Sequence, residues 1–148
     1  RSRGLGDVYK RQLRILLKRF IILCTRIARE KFSVSPEREK AFDMVRQFYV
    51  LVDNHFKEKK MVQDYADMLH RSPKTLSNLF TTCGLPSPLR IIHERIEAEA
   101  KRLLLYSQKS AKEITEILGF EDQATFSRFF KKMTGESVSE YRKREKQE

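Results

Sequence analysis

Glycine and proline are scarce in this 148-residue chain, five and four residues respectively; tryptophan is absent and cysteine occurs twice. So few turn formers exclude a collagen-like or low-complexity chain and argue against an all-β fold with its many tight connections. Cys24 and Cys83 stand 59 positions apart, so there is no CxxC metal or redox pair. Both lie in apolar helical patterns and are expected to pack as small core hydrophobes. No apolar run reaches the roughly 18 uncharged residues of a membrane span. The longest candidate, residues 13–32, is broken by Lys18, Arg19, Arg26 and Arg29. It also lacks a small-residue cleavage site, so the expectation is a soluble cytoplasmic protein with no membrane partner. His55, His70 and His93 are scattered, without HExxH, GxSxG or P-loop spacing. His93-Glu94 reads as a solvated pair on a helix, and Asp64 and Asp67 as caps or solvated acids of a short one. Neither catalysis, a metal site nor a cofactor is expected.

What the chain does have is helix chemistry. Apolar residues make up 40% and charged residues 34%, which is too apolar for a disordered segment. The net charge is +11, but its location matters more than its size. Residues 1–31 hold ten lysines and arginines against two acids, whereas residues 32–148 hold twenty-one against eighteen. Any nucleic-acid argument for the larger part must therefore rest on how its charges are arranged.

Residues 1–12 show no helical period and read as a flexible lead or scar. Residues 13–35 contain an amphipathic helix, Leu13 to Lys31, whose apolar face is wide and needs a partner. Ser35-Pro36-Glu37 reads as an N-cap, an N1 proline and a first-turn acid. The helix it opens carries Val45, Phe48, Val52 and Phe56 on one stripe and is expected to fray through Lys57-Glu58-Lys59-Lys60. A short helix follows from Val62 to Leu69, then one from Ser72-Pro73 to Gly84. Ser87-Pro88 opens a long helix through Tyr106. Ser110-Ala111-Lys112-Glu113 is a capping box for a short helix ending at Gly119. Asp122 caps the next, which Gly135 stops, and Ser137-Val138-Ser139-Glu140 starts the last. The fold class expected is all-α, with about seven helices besides the N-terminal one.

Within that list lies an internal repeat. Tyr65-Ala66-x-x-Leu69, Leu76-Ser77-x-x-Phe80 and Gly84 return as Ile114-Thr115-x-x-Leu118, Phe126-Ser127-x-x-Phe130 and Gly135, with a turn one residue longer. Each copy reads as a helix-turn-helix unit, about 61–84 and 110–135, joined by a linker helix over 87–106. If Leu76, Leu79 and Phe80, and Phe126, Phe129 and Phe130, pin the second helices inward, the opposite faces must point out. Those faces carry Lys74, Ser77, Asn78, Thr81 and Thr82 in one copy. In the other they carry Gln123, Thr125, Ser127, Arg128, Lys131 and Lys132. No acid lies between Lys74 and Glu94 or between Gln123 and Thr134. Asn, Gln and Arg suit base edges and Lys suits phosphate; the charge pattern alone fits a solvated polar face equally well, and it is the repeat that makes double-stranded DNA the expected partner.

The stretch from Val62 to Arg142 resembles the DNA-binding domain of AraC/XylS-type transcription regulators. The densest match is Glu113-Ile114-x-x-x-Leu118-Gly119-Phe120-Glu121-Asp122-x-x-x-Phe126-Ser127-Arg128-Phe129-Phe130-Lys131-Lys132. The resemblance implies two recognition helices in successive major-groove segments on one face of DNA. It places base or groove contacts on Lys74, Ser77, Asn78, Gln123, Ser127 and Arg128, and phosphate contacts on Thr81, Lys131 and Lys132. It further implies RNA polymerase as a partner and a longer regulator of which this chain is the C-terminal part. Three departures stand out: Val138 replaces the usual proline, Thr115 replaces a small alanine, and Leu85-Pro86 lengthens the step to Ser87. The helix within 13–32 would then either dock on the missing sensing domain or form a homodimer. The rival reading is a helical module that binds a protein or membrane surface through that basic amphipathic helix.

Overall fold

A computed structural model describes residues 16–27 and 35–145. Among these residues all regular structure is helical: α1 (residues 16–27), α2 (Pro36–His55), α3 (Val62–Met68), α4 (Pro73–Thr82), α5 (Pro88–Tyr106), α6 (Ala111–Ile117), α7 (Gln123–Thr134) and α8 (Val138–Glu145). The expected lead over 1–12, and the expected helical positions 13–15 and 28–31, lie outside the described residues. Two compact units divide the chain, residues 1–39 and 40–148.

In the first unit, α1 shows Leu16, Leu17, Phe20, Ile21, Ile22, Leu23 and Ile27 more than half exposed. Cys24 is exposed as well, which corrects the expectation that it is a core residue. An apolar helical pattern predicts a face that wants burial, and among its described residues, 16–27, none is buried. Cys83, by contrast, is half-buried against the core at the end of α4.

The second unit is built on α5, whose Ile91, Ile92, Ile96, Ala100, Leu103 and Leu104 form a continuous buried strip. Ser87 accepts the Arg90 amide and Pro88 fills the first helical position, so the start of α5 is fixed by its own sequence. All three α5 glutamates meet cations of the same helix: Arg90 with Glu94 (2.7 Å), Lys101 with Glu97 (2.6 Å), and Arg102 with Glu99 (2.7 Å). Toward the first half of the repeat, Phe48 of α2 packs edge-on to Tyr65 (5.5 Å) and Phe80 (5.0 Å). Toward the second half, Ile114, Leu118, Phe126, Phe130, Val138 and Tyr141 are buried. Thr115 is buried too, its hydroxyl donating to the Ala111 carbonyl at 2.8 Å, so the polar replacement is satisfied within its own helix. Val138 opens α8 without a proline because Ser137 and Glu140 exchange hydrogen bonds there. Among the described residues, no buried side-chain nitrogen or oxygen lacks a partner.

The segment after α2 is ordered, not frayed. The amides of Glu58 and Lys59 donate to the His55 carbonyl, and the Lys60 ammonium donates to the Lys57 carbonyl at 2.5 Å. Arg95 fastens α2 to α5, bonded to Asp53 at 2.6 Å and stacked over the Phe56 ring at 4.1 Å.

Candidate nucleic-acid interface

Three helices end in the same way. After α3, the His70 amide donates to the Asp67 carbonyl and the Arg71 amide to Ala66. After α4, Gly84 donates to Thr81 and Leu85 to Phe80, and after α6, Gly119 donates to Glu116 and Phe120 to Thr115. Each is a Schellman motif with a left-handed residue just past the cap. Gly84 and Gly119 adopt this conformation at φ +68, which glycine does at little cost, while His70 does so at φ +52. His70 and Gly119 hold matching places in the two copies, the tight turns between α3 and α4 and between α6 and α7.

Those turns deliver α4 and α7 with inward and outward faces separated. Leu76, Phe80, Phe126 and Phe130 are fully buried, and Leu79 and Phe129 are half-buried against the same core. Lys74, Ser77, Asn78, Thr81, Gln123, Arg128, Lys131 and Lys132 are exposed, as expected. Ser127 and Thr125 are only half-exposed, a correction to the outward face read for α7. Their positions turn toward the flank of the helix, beside the buried Phe126.

The starts of α4 and α7 differ in charge. Ser72 caps α4, its hydroxyl accepting the Thr75 amide at 3.1 Å. Asp122 caps α7, accepting the Thr125 amide at 2.6 Å. The Thr125 amide and hydroxyl, with the Arg128 charge a lesser cause, hold the Asp122 carboxyl below its usual range. Arg128 itself donates to the Thr125 hydroxyl at 3.3 Å, which aims its fork back over the helix N-terminus. Thr81 and Thr82 spend their hydroxyl protons on the Ser77 and Asn78 carbonyls one turn earlier. In this state the Thr81 hydroxyl is an acceptor and has no proton to give a phosphate.

His93 is not the solvated residue expected from its sequence. It is half-buried, edge-on to Phe129 at 5.3 Å, and burial first, then the Lys132 charge, push its imidazole below the usual value. Glu94 next to it is exposed and paired with Arg90, as a solvated acid should be. Sequence reasoning missed the Lys57–Lys60 segment at this site. A side chain at Gly119 would collide with the Lys57 carbonyl, and the Lys60 ammonium stands 5.1 Å from the Phe120 ring centre. The only signal was the cluster of three lysines after α2, which taken alone suggests solvent.

Two short helices and a tight turn, presented twice along one linker helix, define a tandem helix-turn-helix module. A family model described as a helix-turn-helix domain matches residues 65–144. The chain belongs to the AraC-type helix-turn-helix family. It is 30% identical over 122 residues to the uncharacterised regulator YisR of Bacillus subtilis, covering 82% of this chain and 41% of that one. It is 36% identical over 92 residues to the arabinose operon regulatory protein of Salmonella typhimurium, covering 62% of this chain and 31% of that one. Among solved structures it resembles the C-terminal domain of AraT, a response regulator from Geobacillus stearothermophilus. That match has a TM-score of 0.62 at 29% identity and covers 68% of this chain and 84% of the other. The chain thus spans less than half the length of the two curated relatives.

Proposed function

We propose that this chain binds double-stranded DNA sequence-specifically, with α4 and α7 in successive major-groove segments, as part of a longer cytoplasmic transcription regulator. One observation carries the reading: two exposed, acid-free recognition faces flank a 19-residue linker helix. At about 1.5 Å per residue that helix is roughly 28 Å long, close to the 34 Å or so of one DNA turn. In this reading Lys74, Ser77, Asn78, Gln123 and Arg128 face base edges, with Ser127 at the flank. Lys131 and Lys132 neutralise phosphate, and Thr81 contributes after its hydroxyl turns away from Ser77. The relatives' lengths support the view that a sensing or dimerisation domain belongs to the whole protein. α1 would serve it as a dimerisation or docking helix, and RNA polymerase would be the further partner. Catalysis, metal and cofactor have no place in this function.

Selection from a random duplex pool, followed by titration at several salt concentrations, tests the reading. The expected result is an enriched sequence with two conserved blocks about one turn apart and a steep salt dependence. Failure to enrich any duplex, together with flotation on anionic vesicles, would favour the surface-binding module instead. Among the described residues no helix is long and apolar enough to cross a membrane.

A further inference from the structure

Two recognition helices read a fixed operator only if the angle between them is fixed. Both units pack on the linker helix α5, which sets their distance, and contacts that bridge the units help fix the angle. A shift of one base pair moves the second groove segment by about 3.4 Å and turns it by roughly 35°, so a small rocking motion decides which spacing is accepted.

We propose that the segment Lys57–Lys60 sets the angle between the two helix-turn-helix units, and through it the base-pair spacing the chain accepts. The proposal rests on the DNA-binding reading above. The segment holds the first unit through Tyr65, whose hydroxyl donates to the Lys59 carbonyl at 2.7 Å, and through Lys59 with Asp64 at 3.6 Å. It holds the second unit at its turn. The Lys57 carbonyl lies where a Gly119 side chain would be, so backbone meets backbone there with no side chain between. Lys60 closes the contact, donating to that same carbonyl at 2.5 Å and resting on the face of Phe120. Phe120 in turn packs against Phe126 (5.4 Å) and Phe129 (5.3 Å), the inner face of α7. A displacement of Lys57–Lys60 is therefore passed to the second recognition helix within two contacts, while its other end is anchored on α3. Burial lowers the Lys60 pKa, with Glu58 opposing, in keeping with an ammonium partly withdrawn from water. The His93–Phe129 contact ties α7 to the linker, not directly to the first unit.

The test uses the full chain and the duplex enriched from the random pool, with the gap between its two blocks shortened or lengthened by one base pair. Wild type, Lys60→Met and Lys60→Gln are titrated against all three duplexes at one salt concentration, with a melting curve for each protein. Wild type should lose roughly tenfold in affinity on either altered spacing. Both variants should stay within about threefold of wild type on the preferred duplex, and lose less than about threefold when the spacing changes. Removing a charge near DNA would weaken all three duplexes alike, and so would partial unfolding; neither flattens the spacing profile. Spacing profiles parallel to wild type in both variants overturn the proposal. If wild type enriches no duplex at all, it is the DNA-binding reading that fails, and the spacing proposal falls with it.

Discussion

The two helix-turn-helix units share a plan and differ in how each part is made. In the first, the turn is held by a histidine in the left-handed conformation, the recognition helix is capped by a neutral serine, and its exposed face carries one cation, Lys74. In the second, the turn uses a glycine pressed against a carbonyl, the cap is a carboxylate, and the exposed face carries Arg128, Lys131 and Lys132. The first unit is steadied by aromatic rings from α2, Phe48 and Tyr49 around Phe80. The second makes its own aromatic cluster from Phe120, Phe126, Phe129, Phe130 and Tyr141. The difference teaches a division of labour: the second unit presents the cations, and the first mostly neutral hydrogen-bonding groups, which on the proposed reading grip and read DNA respectively.

The largest effect should come from the turns. Gly119→Ala combines a left-handed alanine with a collision against the Lys57 carbonyl, and should cost about 2–4 kcal/mol in urea unfolding. A loss below about 1 kcal/mol would mean that the two turns are under equal constraint.

Next come the exposed faces. Arg128→Ala should cost about 1–3 kcal/mol on the preferred duplex and relax selectivity at one base position. Lys131→Ala should weaken all sequences alike and lower the salt slope by about one, and Lys131→Ala with Lys132→Ala by about two. Equal losses for Arg128→Ala on matched and scrambled duplexes would make it a phosphate clamp and move base reading to Gln123.

A third contrast lies in the caps. The Asp122 carboxyl has a lowered pKa in the fold, so its contribution is present above the usual carboxylate range and is lost as pH falls through the lowered value. Ser72 does not titrate. In an NMR titration toward low pH, the Thr125 amide should move with a midpoint below the ordinary aspartate value of 3.8, whereas Thr75 holds still. Matching shifts at both amides would erase the contrast. The smallest effect is His70→Gly, which relieves a left-handed side chain but loosens the unfolded chain, leaving a net gain of about 0.5 kcal/mol. A loss instead would show that the histidine ring contributes contacts that outweigh its backbone cost.

The helices and their faces were legible because their causes are local. Ser72-Pro73, Ser87-Pro88, Ser110 with Glu113, and Asp122 announce helix starts within three or four residues, and the observed caps use those atoms. The spacing of Leu76 and Phe80, and of Phe126 and Phe130, fixed which face turned inward. Gly119 was read as a helix stop, which it is. Its second duty depends on a carbonyl 62 positions earlier, and no local pattern encodes that approach. His93 was misread for the same reason, since the ring that covers it belongs to α7. Cys24 erred in the opposite direction: its apolar neighbours predict burial, but periodicity names a face without supplying what covers it.

The paired glutamates of α5 have a consequence for an approaching polyanion. On the DNA-binding reading a duplex that reaches both α4 and α7 lies near the linker between them, and three unpaired carboxylates there would repel it. Because each carboxylate lies within 2.7 Å of a lysine or arginine on the same helix, their fields largely cancel beyond a few ångströms. Of the two exposed faces α7 then carries the larger positive charge, and on the DNA-binding reading first encounter should be led by it, with α4 settling afterwards.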